Sequence, residues 1–294
     1  MALPPPPRRL PPAATGTHGL ARVLSRLGVA SRNEAARWIL AGRVTVDGRV
    51  ARDPERRTDA GRERIAVDGR PVRPARRLYY VMNKPAGVVT SARDSEGRRT
   101  VYDVLREALK TSGRNPGGGS PLASGPADGD PPWLFPVGRL DAMTQGLLVF
   151  TNDTDLGALI AGVDSPVPKT YEAKVRGVMT DEGIARLRQG VTLGDGWRTR
   201  PAEVRLLRAN EGTTWLEITL REGMNRQVRR MCQAVGHEVI KLRRIRVGPV
   251  ELGGLPSGAV RPLTRREIEA LRALRPAARQ PAPAPRAERR SPPG

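Results

Sequence analysis

Apolar residues recur at helical spacing near the start of the chain. A first helix is predicted by four of them at spacings of three or four, which are Leu20, Val23, Leu24 and Leu27. Gly28 ends this helix, and Ser31 begins a second one as a capping box with Glu34. The second helix runs to Gly42, and its apolar face carries Ala35, Trp38, Ile39 and Leu40.

Valines at alternating positions follow the two helices and predict short strands. Val44 and Val46 precede Asp47-Gly48, a dipeptide that favours a two-residue hairpin turn, and Val50 follows it. The same arrangement returns in RIAVDGRPV, residues 64–72, around a second Asp-Gly pair. The first part of the chain is therefore expected to contain two helices and a small set of strands.

The pattern changes after a basic linker at residues 71–77. The segment LYYVMNKPAGVVTS predicts a strand, a turn at Lys84-Pro85 and Gly87, and a second strand. EGRRTVYDVLREAL predicts a helix, and the apolar run at residues 147–150 predicts a buried strand. Residues 266–274 form an amphipathic pattern, so we expect a last helix that packs on the domain.

Three segments lack the large apolar residues that a packed core needs. Residues 1–17, about 111–132 and 278–294 are rich in Pro, Gly, Ala and Ser, which predicts a disordered tail, a flexible insertion and a second disordered tail. The intervening pattern predicts two domains, at residues 18–72 and 77–277.

The chain carries 51 Lys+Arg against 30 Asp+Glu, a formal charge of +21. The excess is spread over the ordered stretches, which indicates a polyanionic partner, most often nucleic acid. A basic membrane-surface protein is the open alternative. No apolar run is long enough to span a bilayer, so we expect no membrane partner and a cytoplasmic location, with an organelle transit peptide as the weaker interpretation.

One cysteine and two histidines exclude a disulfide scaffold and a Cys/His metal cluster, so no metal site is expected. Candidate chemistry lies instead in FPVGRLDAMTQGLLVFTNDTDL, residues 135–156. Asp141 lies there in a loop between Gly138 and Gly146, beside Arg139. A carboxylate next to a cation at a sheet edge stays ionised and can act as a nucleophile. An Asx-turn or a helix cap remains the alternative for a lone aspartate.

Residues 20–50, LARVLSRLGVASRNEAARWILAGRVTVDGRV, resemble the S4 RNA-binding domain, and the resemblance covers about residues 18–72. It implies a face that contacts RNA phosphates, formed by Arg22, Arg26, Ser31, Arg32, Asn33 and Arg37. A merely solvated basic face is the alternative.

GRLDAMTQGLLVFTND is similar to the catalytic motif of the pseudouridine synthases of the RsuA/RluB type. Three further segments agree with that family in order: MNKPAGVVTS, PKTYEAKVRG, and the long run from REGMNRQVRRM to VRPLT. The resemblance implies an α+β fold. A small S4 domain of two helices plus short strands would precede a synthase domain with a mixed, largely antiparallel sheet and flanking helices.

The resemblance also implies roles for individual residues. Asp141 would be the nucleophile, Tyr171 would stack on the target uracil and help remove its C5 proton, and Arg229 would pair with Asp141. Further RNA contacts are implied for Arg139, Arg226 and Arg230. Read without the family, Tyr171 is a strand-core residue and Arg229 a surface charge. Met224 departs from the family pattern, where an arginine is common.

The implied reaction isomerises specific uridines of ribosomal RNA to pseudouridine, without a cofactor, in a monomer whose partner is ribosomal RNA or a pre-ribosomal particle. The motif sequences resemble those of the large-subunit (23S) enzymes more than those of the small-subunit (16S) enzyme. A non-catalytic RNA-binding or ribosome-assembly protein is the rival interpretation. The target uridine, and whether the carboxylate attacks C1′ or C6, stay open.

Overall fold

The computed structural model describes residues 17–92, 94–111, 133–162 and 165–275. Almost all of the two predicted tails and of the predicted insertion lies outside these residues.

The N-terminal part alternates short helices and short strands. Its elements are β1 (His18–Gly19), α1 (Leu20–Arg26), α2 (Arg32–Leu40), β2 (Val44–Val46), β3 (Arg49–Ala51), β4 (Arg57–Thr58), β5 (Ile65–Val67) and β6 (Arg70–Pro71). In the described part of this region, four strands form one sheet in the order β3-β2-β5-β6, and β1 pairs with β4. The two helices pack on the sheet through an apolar cluster that contains Leu24, Ile39 and Val44.

Local sequence signals determine the ends of these elements. Gly28 follows α1 with a φ of 77°, a left-handed conformation that glycine adopts without strain. The Ser31 hydroxyl caps α2 by accepting from the Glu34 backbone N–H at 3.0 Å, while the Glu34 carboxylate pairs with Arg37. Leu40, predicted to belong to the apolar face, is 60% exposed instead, at the last residue of α2.

The rest of the chain builds one large sheet with helices on both faces. Its elements are β7 (Tyr79–Lys84), α3 (Val101–Thr111), β8 (Phe135–Val137), β9 (Thr144–Thr151), α4 (Thr154–Ala161), β10 (Lys169–Arg176), α5 (Asp181–Gln189), β11 (Glu203–Asn210), β12 (Thr213–Leu220), α6 (Gln227–Ala234), β13 (Val239–Val247), β14 (Val250–Glu251), β15 (Val260–Pro262) and α7 (Arg265–Ala273).

The strands of this sheet are ordered β11-β12-β10-β13-β9-β7-β15, with β14 beside β13 and β8 beside β9. Among the described residues, β9 and β13 are the one pair of named strands that runs parallel, and the other pairs are antiparallel. The predicted α+β class with a mixed, largely antiparallel sheet is therefore confirmed.

The apolar run of β9 is buried on both faces, as predicted. Leu148 and Phe150 pack against α3 on one face, and Leu147 and Val149 pack against α4 and α7 on the other. Towards the other end of the sheet, α5 and α6 cover the face that α3 also occupies, and the two clusters meet at Tyr171. The predicted C-terminal helix packs on the domain as expected, through the buried Leu271 of α7.

The predicted second strand of MNKPAGVVTS does not form a ladder with β7. Val89 makes an isolated parallel bridge with Thr100, just before α3. The other edge of β7 is occupied by β15, whose Val260 lies opposite Met82. The segment after Gly87 therefore crosses to α3 instead of turning back along the sheet.

The N-terminal part contacts the large sheet domain through a few polar groups. The Arg26 guanidinium donates to both carboxylate oxygens of Asp155 at 3.2 Å, and the backbone N–H of Ala75 donates to the carbonyl of Leu27 at 2.8 Å. Asn152 holds the linker, since its side chain accepts from Leu78 and donates to Arg76. These contacts tie the end of α1 to the start of α4.

Candidate active site

An open cleft with about 410 Å³ of free space lies on the face of the sheet that carries α6. Its walls come from the loop before β9, the strands β10, β12 and β13, and the loop that leads into α6. The lining includes Asp141, Tyr171, Glu222, Met224, Arg226 and Leu242. Residues from distant parts of the sequence therefore meet in one polar concavity.

The loop that carries Asp141 is fixed by hydrogen bonds on both sides. The Asp141 carbonyl accepts from the Thr144 N–H at 3.0 Å, and the Ala142 carbonyl accepts from the Gly87 N–H at 2.9 Å. The Thr90 hydroxyl donates to the Leu140 carbonyl at 2.7 Å. This network holds the Asp141 side chain over the cleft, partly exposed.

Two guanidinium groups face the Asp141 carboxylate. The distance from its Oδ2 is 3.8 Å to Nη1 of Arg226 and 4.0 Å to Nε of Arg229. Both separations exceed a direct hydrogen bond, so the attraction is electrostatic and the carboxylate oxygens keep free lone pairs. In the described residues these are the ion pairs of Asp141, whereas Arg139, the expected neighbour, lines the same cleft with its side chain exposed.

Arg229 is a largely buried cation rather than a surface charge. Its side chain is 14% exposed, and its Nη1 donates to the Val239 carbonyl at 2.9 Å. Burial lowers its pKa, the nearby Arg226 lowers it further, and Asp141 opposes both effects. Its Nε is buried and has no hydrogen-bond partner among the described residues, and it faces Asp141. The structure thus places Arg229 next to Asp141.

Arg226, expected as an RNA contact, lies closer to Asp141 than Arg229 does. It precedes α6 as the N-cap residue and adopts a left-handed conformation with a φ of 49°. For a residue with a side chain this conformation is sparsely populated, and the fold holds it there at a cost of about 1–3 kcal/mol. The strained backbone directs the guanidinium towards the carboxylate while leaving it half exposed.

Tyr171 lies near the start of β10, half-buried, between the apolar clusters under α3 and α6. Its strand neighbours are Ile218 on β12 and Arg244 on β13, and Leu242 and Leu220 line the cleft nearby. The ring therefore forms part of the apolar floor next to Asp141. A planar base can rest on such a floor.

Sequence reasoning missed Glu222 as a residue of the cleft. Its side chain is 11% exposed and accepts from the Gln227 side chain and from the Arg200 N–H at 3.0 Å. The Gln227 side chain in turn accepts from the Met224 N–H at 3.1 Å. The signal was present in the run REGMNRQ, where these residues stand within six positions, but spacing alone did not assign them.

Lys84, which the sequence assigned to a turn, is a fully buried cation behind the Asp141 loop. Its Nζ donates to the carbonyls of Pro85 at 2.9 Å and Ala142 at 3.1 Å. Burial lowers its pKa to about 8, although the nearby Asp141 acts in the opposite direction. Lys169 in β10 is also buried, and burial together with Arg244 lowers its pKa to about 8.

Because of these two lysines, we expect the free energy of unfolding to rise with pH. The unfolded chain keeps a lysine protonated up to about 10.5, whereas the folded protein releases the proton near pH 8. Because the unfolded state then binds more protons, the free energy of unfolding should increase from pH 7.5 to 9 by about 1 kcal/mol per lysine. Urea unfolding at several pH values measures this increase. Above pH 9 the thiol of Cys232, whose pKa burial raises to about 12, should oppose it.

Lys84→Met should remove about half of this rise, while Lys110→Met, which deletes an exposed lysine, should leave it intact. Equal pH dependence in the wild type and Lys84→Met would contradict the assignment.

The residues of the predicted RNA-binding face differ in their surroundings. Arg22 and Asn33 are exposed, and Ser31 serves as the N-cap of α2. Arg26 pairs with Asp155, Arg32 with Glu55, and Arg37 with Glu34. Arg230, on α6, pairs with Asp195. Arg26 is thus engaged in the contact between the two parts of the chain.

A metal site and a membrane-spanning helix were not expected, and both were searched for in the described segments. In them, no group of three or more His, Cys, Asp or Glu residues has a geometry that could hold a metal ion. The same segments contain no helix of the length and apolarity needed to cross a membrane. Cys232 is buried in the apolar cluster under α6.

Comparison with known families gives two matches. The family model for RNA pseudouridylate synthase matches residues 78–234, and the S4 domain model matches residues 19–63. These segments contain the helix pair and all the residues that line the cleft except Leu242.

Curated relatives match along most of the chain. Ribosomal large subunit pseudouridine synthase B of Bacillus subtilis is 36% identical over 257 residues, which are 87% of this chain and 96% of the relative. An RNA pseudouridine synthase of Aquifex aeolicus is 36% identical over 251 residues, covering 85% and 92%. A crystal structure of a pseudouridylate synthase superposes with a TM-score of 0.57 at 25% identity, covering 86% of this chain and 99% of the other.

Proposed function

Because the chain belongs to the RNA pseudouridylate synthase family, we propose that it isomerises specific uridines of ribosomal RNA, with Asp141 as the nucleophile. The observation that carries this proposal is the carboxylate of Asp141 in an open cleft, 3.8 Å and 4.0 Å from two guanidinium groups. The relatives named as large-subunit synthases in Bacillus subtilis and Pseudomonas aeruginosa favour a 23S target over a 16S one.

The chemistry needs no external electron or group donor. The bond between N1 and C1′ breaks, the uracil turns, and a bond forms between C5 and C1′. The C5 proton leaves and N1 gains a proton, so substrate and product have the same composition. A carboxylate can carry this exchange through a covalent intermediate, whether it attacks C1′ or C6.

Arg226 and Arg229 hold the Asp141 carboxylate in orientation by charge. Because neither guanidinium makes a direct hydrogen bond to it, the oxygens remain available to the substrate. Tyr171 supplies the surface on which the extruded uracil stacks, and it assists the removal of the C5 proton. Stacking compensates the base for the neighbours that it loses when it leaves the RNA helix.

The N-terminal helix pair contributes affinity through phosphates. Arg22, Arg32 and Arg37 lie exposed on or beside α1 and α2, where long cations reach a backbone without reading its sequence. Arg139 and Arg230 extend the basic surface to the cleft. In this proposal the chain acts as two domains, residues 18–72 for RNA binding and 77–277 for catalysis, in a monomer.

The test is the release of tritium from RNA labelled at uridine C5. With wild-type protein and unmodified large-subunit RNA, tritium should pass to water and reach a limit of one or a few equivalents per RNA. Unmodified small-subunit RNA is the matched control for the target. Naked RNA and pre-ribosomal particles should both be tried, because the form of the substrate decides whether the site is accessible.

If the protein binds both RNAs but releases no tritium from any form of either, it is an RNA-binding or assembly protein, and the proposed enzymatic function is wrong. Release from small-subunit RNA alone would retain the reaction and reverse the proposed target.

A further inference from the structure

Trp197 is a large aromatic side chain that the core does not use. It is 56% exposed, in the loop between α5 and β11. An indole that is exposed to water does not gain the free energy that burial of its apolar surface would give. At binding interfaces, tryptophan is among the residues that contribute most to affinity. The side chains of the next two arginines, Arg198 and Arg200, are also exposed. The loop thus presents one aromatic ring with cations beside it.

The loop has a defined conformation. The Leu193 N–H donates to the Trp197 carbonyl at 2.8 Å, and Thr192 forms an antiparallel bridge with Arg198. The Gly196 N–H donates to the Leu193 carbonyl at 2.8 Å, which closes the tip. The backbone that carries the indole is therefore ordered before any ligand arrives, so binding costs little additional conformational entropy.

Two charged contacts fix this loop to the walls of the cleft. Asp195 binds Arg230 at 2.6 Å, and Arg230 follows Arg229 directly on α6. The Arg200 N–H donates to Glu222 at 3.0 Å, and Glu222 lines the cleft. Since Arg230 lies on α6 and Glu222 lines the cleft, the loop that carries the indole lies next to the Asp141 site.

We propose that Trp197 stacks on an unpaired base next to the target uridine and thereby helps to bind the RNA. This inference rests on the proposed function, because it assigns a subsite to the same substrate. An indole recognises any base through its flat face, while Arg198 and Arg200 attract the neighbouring phosphates. The ligand class is therefore a single-stranded RNA segment continuous with the modified nucleotide.

Trp215 provides a matched control within the same chain. It lies on β12 between the inward-facing Thr214 and Leu216, so it points to the opposite face of the sheet. Arg208 stands over its ring at 4.9 Å and Lys174 at 5.9 Å. It is thus another tryptophan among cations, but away from the cleft.

The experiment compares the wild type with Trp197→Ala, Trp197→Phe and Trp215→Ala on unmodified large-subunit RNA. Equilibrium binding gives Kd, and single-turnover tritium release gives both the rate at saturating RNA and the half-saturating RNA concentration. Trp197→Ala should raise Kd and half-saturation about 10-fold, the loss expected for one stacked base. The saturated rate should change less than about 3-fold. Trp197→Phe, which keeps an aromatic ring, should recover most of the affinity, and Trp215→Ala should resemble the wild type.

Unchanged Kd in Trp197→Ala would overturn the inference, and so would an equal loss in Trp215→Ala. Failure of the proposed function is a separate result: the wild type would bind RNA without releasing tritium, and the Kd comparison would still decide the role of Trp197. Thermal unfolding of each variant distinguishes a lost contact from a lost fold.

Discussion

Asp141→Asn is expected to lower the rate of tritium release by a factor of about 10⁴ or more. The amide has nearly the same shape as the carboxylate but lacks its charge, so it cannot form the covalent intermediate. Single-turnover release from C5-labelled RNA, followed over hours, measures the residual rate. The size of this effect separates a nucleophile from a residue that only shapes the cleft.

RNA binding by Asp141→Asn should be retained, because removing one negative charge next to Arg226 and Arg229 favours a polyanion. Asp181→Asn, which changes an exposed aspartate in the first turn of α5, is the matched control and should keep full activity. More than a few per cent of wild-type release in Asp141→Asn would show that this carboxylate is not the nucleophile.

Gly146→Ala is expected to lower the free energy of unfolding by about 3–5 kcal/mol, or to prevent folding. Gly146 has a φ of 103° in β9, where a side chain is strained. A Cβ there would overlap the carbonyl oxygen of Arg244 and come within 2.8 Å of its backbone nitrogen. Because a backbone neighbour in a central strand cannot move aside, the two strands must separate. Urea or thermal unfolding measures the loss.

Gly254→Ala is the control for this substitution. A Cβ at Gly254 would meet nothing within 4 Å, and its backbone is not left-handed, so stability should change by less than about 0.5 kcal/mol. If Gly146→Ala unfolds at the same denaturant concentration as the wild type, the close approach of β9 and β13 is not a constraint on the fold.

Local signals explain what the sequence predicted well. The ends of α1 and α2 and the Asp-Gly turns depend on neighbours within four residues, and Asp47 and Asp68 have the left-handed φ that such turns require. Segments whose partners lie far away in the sequence were harder to predict. The stretch after Gly87 carries residue types that favour a strand, VVT, but β15, from the far end of the chain, occupies the edge of β7 that it would have used.

The same distinction applies to the cleft. A resemblance in short motifs identified Asp141, Tyr171 and Arg229 as candidates, and the fold brings them into one region. The proximity of Arg226 to Asp141 could not be predicted, because it depends on a left-handed φ that arginine rarely adopts alone. The buried position of Lys84 and the largely buried one of Glu222 depend on tertiary contacts that sequence spacing does not encode.

The parallel pairing of β9 and β13 has a kinetic consequence. Asp141 lies just before β9, whereas Arg226 and Arg229 lie at the start of α6, the helix that precedes β13, so a long stretch of chain must close before the carboxylate meets its cations. Pairings between residues so far apart in sequence form late, because their loop-closure entropy opposes early contact. Until β9 and β13 pair, the carboxylate and the guanidinium groups are not held next to each other. We therefore expect reactivity to emerge only once this pairing has formed, so that chains without it cannot modify RNA.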